Sequence, residues 1–350
     1  MAKVRWLLFV VCTLIFVYGN TKGIAAQDNV RCDFDKNGTM TVSGKGVLYW
    51  SAIEESSEDE VGYGIKKVII QEGITEISDG CFSGDFTDMI EIKLPNSLQK
   101  IGNRAFKGCE RLEEVEVPLG VLEISKECFS GCSALETFEA DKFTSIGQKA
   151  FYGCTSLEKI QIKEGIDSIG KSAFEGCKSL TDVVIETRII TIEKRVFYGC
   201  EKLQNVELPI CVRKINQEAF GNCSSLKSIV LPENISYVGL GNFTTTDIYW
   251  KGDEVTLQTP EEGEAEFFEQ VTGTMFIPTG SAFWQKQKER YPNISWQEWT
   301  PVIEQVETET YDLMEQWAFQ DDPYTVSAEP WLDEEGTPCV KIHFSKKYQR

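Results

Sequence analysis

The 350-residue sequence has one histidine, His343, close to its C-terminus. A Ser-His-Asp or Cys-His pair would have to run through that imidazole, and no nucleophile motif stands near it. HExxH and GxSxG strings are absent. Carboxylate pairs are abundant, but in so acidic a chain they are background and give a glycosidase reading no support. Basic residues are the minority: 35 Lys and Arg face 55 Asp and Glu, for a net charge of −20. Such a chain repels phosphate backbones, so nucleic acid is not an expected partner. No segment beyond the N-terminus is apolar for long enough to span a bilayer.

What the N-terminus does have is the pattern of a secretory signal. Lys3 and Arg5 precede an apolar run of 13 residues, Trp6 to Tyr18, and small residues follow in GIAAQ. The alternative is a retained membrane anchor, but the run is short for one. Cleavage near Ala26 would remove Lys3, Arg5 and Lys22, leaving 32 basic and 55 acidic residues, a net charge of −23. The expected mature protein is exported, secreted or held at a cell surface or in a periplasm, with no transmembrane anchor after cleavage.

The strongest signal is a repeat. Phe82, Phe106, Phe129, Phe151, Phe174, Phe197, Phe220 and Phe243 follow one another at steps of 24, 23, 22, 23, 23, 23 and 23 residues. Each unit carries a stretch such as Leu157, Ile160, Ile162 or Leu180, Val183, Ile185, whose closing alternation is that of a strand with one buried face. A second stretch places two aliphatic residues three apart before the phenylalanine, as in Ile166 and Ile169 or Val212 and Ile215. Proline and glycine punctuate between them. About 23 residues is too short for two packed helices and suits one solenoid coil, whose apolar edge is buried only by stacking on its neighbours.

The phrase LEKIQIKEGIDSIGKSAFEGCKS, Leu157 to Ser179, resembles the BspA-like leucine-rich repeats of surface proteins from host-associated bacteria and anaerobic protists. The resemblance covers about residues 65–250. It implies a mainly β repeat solenoid: a right-handed stack of about eight 23-residue leucine-rich-repeat coils with one long parallel sheet. GTMTVSGKGVLYW, Gly38 to Trp50, resembles the leader hairpin that caps such arrays, placing a β-hairpin cap at 27–64 after a signal peptide at 1–26. GTMFIPTGSAFWQKQKERYPNISW, Gly273 to Trp296, resembles the closing unit of strand, turn and helix, giving a C-terminal cap at 251–300. The eighth coil, with NFTTTDIYW, departs from the repeat, as a terminal coil facing water should. Residues 301–350 form an appendage, in which TYDLMEQWAF suits a helix and TPCVKIHF an edge strand bearing His343.

Twelve cysteines in an exported chain invite a disulfide reading. Six of them, Cys109, Cys132, Cys154, Cys177, Cys200 and Cys223, hold one repeat position. Neighbours in such a ladder stand about 4.8 Å apart with parallel Cβ bonds. A disulfide needs closer Cβ atoms and a twist near 90°. The ladder offers single ligands in a line and no tetrahedral cluster for a metal. The expectation is buried spacers, with no cofactor and no metal. DFDKNG, Asp33 to Gly38, begins like a calcium loop, but its twelfth position is Gly44 and a strand pattern follows, so a hairpin turn is the better reading.

The residues expected to meet a partner point outward from the strands. Reading coil by coil they are Glu114 and Glu116, Thr137 and Glu139, Lys159 and Gln161, Asp182 and Val184, Asn205 and Glu207, Ser228 and Val230, then Tyr249. The middle of this row is acidic and polar. Its C-terminal end is more apolar, with Tyr249 beside Trp250 read as a contact anchor. A sheet of this size offers the roughly 800 Å² per partner of a standard interface. The favoured reading is a non-enzymatic recognition or adhesion scaffold for a protein or other macromolecule, a role the resemblance also implies. The second is a carbohydrate-binding or accessory module of an exported glycan-handling system, with outward aromatics as sugar platforms. An enzyme site in the tail is a third.

Overall fold

The computed structural model describes residues 30–300 except 57–61, 63, 140–142, 164, 244–245, 253–254 and 256–263, and beyond them the strands Val302–Ile303, Tyr324–Leu332 and Pro338–Lys346. The signal segment and the TYDLMEQWAF stretch lie outside the described residues.

The chain is a parallel β-solenoid with two rows of strands. The front row begins with a hairpin, Arg31–Phe34 antiparallel to Thr39–Ser43. It continues in parallel through Lys67–Ile70, Glu91–Lys93, Glu114–Val115, Lys159–Ile162, Asp182–Ile185, Asn205–Glu207, Ser228–Leu231 and Asp247–Trp250. The back row consists of short parallel strands, from Gly46–Leu48 and Ile74–Ile77 to Lys214–Ile215 and Tyr237–Val238. These are the aliphatic pairs of the sequence, with Ile77, Ile101, Ile124, Ile146, Ile169, Ile192, Ile215 and Val238 all buried.

The front row is not one unbroken ladder. It divides into hydrogen-bonded groups of five, three and four strands. One break falls at the 22-residue coil, where only Thr137 bridges, to Lys159. That coil is a residue short, and Phe138 fills a strand slot that other coils give to Val or Ile. Its ring is wedged 5.4 Å from Phe129 and 4.7 Å from Phe151. A large ring in an aliphatic slot leaves little of the regular pleat.

Between the rows runs a stack of phenylalanines. Centroids from Phe82 to Phe243 step by 5.3–5.8 Å, and adjacent planes differ by 2–20°. Every ring is at most 2% exposed. The corner before each ring turns through the left-handed region. Arg104, Glu127, Lys149, Ser172, Arg195 and Glu218, two residues ahead of a phenylalanine, have φ of 55–58°. Few side chains adopt that conformation freely. Here each residue's amide donates to a carbonyl of the next coil, at 2.8–3.3 Å, which holds the turn. Two residues after the phenylalanine the chain again needs positive φ. Glycine supplies it in six coils and Asn222, the best-tolerated substitute, in the seventh.

The ends are closed differently. At the N-terminal hairpin, Asp35 Oδ1 accepts from the amides of Asn37 and Thr39 at 2.9 and 2.8 Å. Gly38 is obligatory there: its φ is 78°, a Cβ would strike the Gly64 carbonyl oxygen, and its own carbonyl accepts from Lys66 N at 2.8 Å. The acidic stretch Glu54 to Glu60 begins within a short helix, Trp50–Glu55. In the last coil Asn242 takes the position that Ala105, Ala150, Ala173 and Ala219 hold in earlier coils. Its Oδ1 accepts from Phe220 N at 3.0 Å, the bond that a backbone carbonyl makes elsewhere, and its Nδ2 donates to Asn216 O and Gly239 O.

The C-terminal cap holds the helix Glu264–Gln270, the strand Thr274–Pro278, the helix Ala282–Arg290 and a further strand, Ser295–Trp299, which the sequence reading lacked. Ser281 caps the second helix, accepting from Trp284 N. In the tail, the strand bearing His343 is central and not an edge: Tyr324–Leu332 pairs on one side and Val302–Ile303 on the other.

Candidate interaction surface

The coil backbone repeats, apart from the breaks in the front row, so the front face is a lattice whose side chains differ from coil to coil. Strand register sorts them into two columns. One aligns Lys67 with Glu91 and Glu91 with Glu114, and then Thr137 with Lys159, Lys159 with Asp182 and Asp182 with Asn205. The other aligns Ile69 with Lys93, and Gln161 with Val184 and Glu207. Glu114, Glu116, Thr137, Glu139, Lys159, Gln161 and Asn205 are exposed; Asp182, Val184, Glu207, Ser228 and Val230 are half-buried.

Six of these residues gather in a groove of about 1070 Å³ that crosses four adjacent coils. Glu114, Glu116, Thr137, Glu139, Lys159 and Gln161 line it, joined by Glu91, Lys93 and Lys163. Charge is unevenly neutralised. Glu91 lies 2.8 Å from Lys67 Nζ and 3.6 Å from Lys93 Nζ, and the hydrogen bond from Lys67 holds its carboxyl below the usual range. Among the described residues Glu114, Glu116 and Glu139 enter no ion pair. Farther along, Asp182 accepts from Asn205 Nδ2 at 2.7 Å and Thr181 Oγ1 at 2.6 Å, which lowers its pKa. At the strand ends Leu94, Pro118 and Leu119 complete the lining, and Leu119 is 76% exposed.

The C-terminal end of the row differs from expectation. Tyr249 points to the front, yet it is only 6% exposed. Phe276, its register partner, stacks on it at 4.1 Å, and Trp299 lies edge-on at 5.5 Å. Burial raises the phenol pKa to about 12. Trp250 is buried too, packed 4.8 Å from Trp284. Neither residue is a free anchor. The cause is the cap: the strand Thr274–Pro278 pairs beside Tyr249 and stacks Phe276 on it, and the further strand Ser295–Trp299 lays an indole edge over it. The sugar platforms of the glycan-binding reading are therefore inside the cap.

The cysteine ladder is buried and carries a role that spacing did not reveal. Each of the six Sγ atoms lies 3.1–3.4 Å from the carbonyl oxygen of the preceding coil's phenylalanine. In five of the six, with Phe106, Phe129, Phe151, Phe174 and Phe197 as acceptors, that oxygen also accepts the cysteine amide of its own coil, so the thiol donates to its second lone pair. Among the described residues ten cysteines are free, including all six of the ladder. Burial pushes the ladder thiols far above the ordinary range, to about 12 for Cys223, which is the opposite of what a reactive cysteine needs.

One string the sequence reading passed over is GIDSIGKS, Gly165 to Ser172, which has the spacing of a phosphate-binding loop. Such a loop needs free amides at a helix start. Here the string is a back strand and a corner, with no helix after it. The amides of Asp167, Gly170 and Ser172 donate to Thr144, Ile146 and Lys194 of adjoining coils. It is a coincidence of the repeat. Among the described residues no group of three or more His, Cys, Asp or Glu side chains is placed to hold a metal, and no helix is long and apolar enough to cross a membrane.

Solved structures to which the chain is similar include a leucine-rich-repeat protein of T. pallidum, at 23% identity and TM-score 0.45, covering 56% of this chain and 87% of that one. A leucine-rich-repeat protein from Bacteroides ovatus is 18% identical at TM-score 0.36, covering 79% and 100%. A leucine-rich cell surface protein from Faecalibacterium prausnitzii is 19% identical at TM-score 0.37, covering 74% and 89%. No curated protein matches. The family profile described as BspA type leucine rich repeat region matches residues 61–154 and 144–251, over half of the sequence. The chain belongs to the BspA-type leucine-rich-repeat family.

Proposed function

We propose that this chain is an exported, non-enzymatic recognition or adhesion scaffold that binds a protein through the front face of its coils, at a cell surface or after secretion. The observation that carries the reading is the groove: four adjacent coils, one of them the short coil of Phe138, present side chains that differ from coil to coil, three of them carboxylates that enter no ion pair among the described residues. A rigid lattice with variable outward positions is suited to recognition, because little ordering entropy is lost on binding. The charged start and apolar run of residues 3–18 support export, and the acidic surface favours solubility. Family membership supports an interaction scaffold.

The test is a screen of the full chain against purified extracellular proteins and a glycan array, followed by affinity measurement on any hit. The double variant Glu116→Lys/Glu139→Lys is expected to weaken binding at least about tenfold, with unchanged thermal melting. Glu123→Lys, on the back row, is expected to bind normally. Equal affinity of both variants would remove the front face as the contact surface.

A further inference from the structure

The groove has two properties that together restrict its occupant. The first is charge. Glu114 and Glu116 on one coil and Glu139 on the next are exposed and enter no ion pair among the described residues. The neighbouring carboxylate, Glu91, is already held by Lys67 and Lys93. Three carboxylates thus lie together, between Lys93 on one side and Lys159 and Lys163 on the other.

The second is apolar surface. Pro118 and Leu119 follow directly on the strand that bears Glu114 and Glu116, and Leu94 holds the equivalent edge of the preceding coil. Leu119 is the most exposed large hydrophobic among the described residues, at 76%, and Leu122, three residues on, is 54% exposed. Other coils do not show this pair: where Leu122 stands, they have Gln99, Thr144, Asp167, Arg213 and Ser236, with Ile190 the one aliphatic exception. Nor is the turn loose. Gly120 packs so closely on the preceding coil that a Cβ there would stand 2.5 Å from the Leu98 carbonyl oxygen, which fixes the backbone of the turn between the two leucines. Exposed leucines on a fixed turn beside unpaired carboxylates form a surface with an apolar end and an acidic floor.

We propose that the groove takes a protein segment in which an apolar side chain sits beside two or more lysines or arginines. The apolar group covers Leu94 and Leu119, while the cations meet Glu114, Glu116 and Glu139. This deepens the front-face reading and rests on it. Both halves are required: an acidic chain attracts any cation weakly and everywhere, whereas the groove adds an apolar contact beside the charge.

The test uses short synthetic fluorescent peptides as probes of the full chain, read by fluorescence polarisation at low and high salt. Three sequences are compared: lysines flanking leucines, the same lysines flanking serines, and glutamates flanking leucines. The first is expected to bind at least about tenfold more tightly than either other. Leu119→Ser and the triple Glu114→Gln/Glu116→Gln/Glu139→Gln are each expected to lose that preference, while Ile190→Ser keeps it. The proposal is overturned if the lysine–serine peptide binds as well as the lysine–leucine one, if both groove variants bind like wild type, or if the acidic peptide binds best. In that last case, loss of binding in the groove variants leaves the front-face reading standing and only the partner chemistry fails. A protein hit from the screen that is insensitive to these variants and to Glu116→Lys/Glu139→Lys sinks both.

Discussion

Cys177 and Glu127 show what single residues contribute to the stack. Cys177 fills a slot of one thiol's volume and donates to Phe151 O at 3.2 Å. Replacing it with alanine removes the donor and opens a void, at a cost of about 1–3 kcal/mol. Cys177→Ser keeps a donor and should lose less, a difference that denaturant unfolding resolves. Glu127 sits in a left-handed corner only 8% exposed, with Arg104 bonded to both of its oxygens at 3.0 Å and Lys107 at 2.6 Å. These hydrogen bonds depress its pKa to about 2. A carboxyl lowered on folding stabilises the native state above its unfolded pKa of about 4.3, and that contribution is lost as pH falls toward 2. Glu127→Gln should therefore flatten the stability curve between those limits, measured as unfolding midpoint against pH. The identity of these residues was readable in the sequence; their partners were not, because each partner lies about one coil away and spacing says nothing of side-chain direction.

At the scale of the element, the phenylalanine stack is the central strut. Phe174 has neighbours on both faces, Phe151 at 5.3 Å and Phe197 at 5.5 Å. Phe174→Ala should cost about 3–5 kcal/mol in chemical unfolding. In a repeat array the loss is felt by adjoining coils as well, because each coil is stabilised mainly by its neighbours. The C-terminal cap makes a second prediction. Tyr249→Ala removes the ring between Phe276 and Trp299, so it should lower thermal stability and expose Trp299, seen as a red shift in tryptophan emission. A purely surface role for Tyr249 would leave both unchanged. The strands and the Phe and Cys positions were legible from a period of 23 because a buried slot tolerates few residue types. The break at Phe138 and the covering of Tyr249 were not, because they depend on how a short coil and an unforeseen last strand change what lies next to them.

For the whole molecule, the division of labour follows from geometry. Repeating positions face inward and build the stack; varying positions face outward and supply whatever specificity it has. The repeat makes that division readable in the sequence, but not the groove, which needs Leu94 and Leu119 from strand ends as well as the strand faces themselves. The buried, unreactive thiols make a direct test available. A cysteine introduced as Gln161→Cys, within the groove, can be coupled to a maleimide-linked polymer, with labelling of the unmodified chain as baseline. The matched control is Glu123→Cys on the back row. For a protein ligand found by the screen, blocking position 161 should abolish binding while blocking position 123 leaves affinity unchanged. Full binding with the groove blocked, or loss only with the back row blocked, would contradict the account.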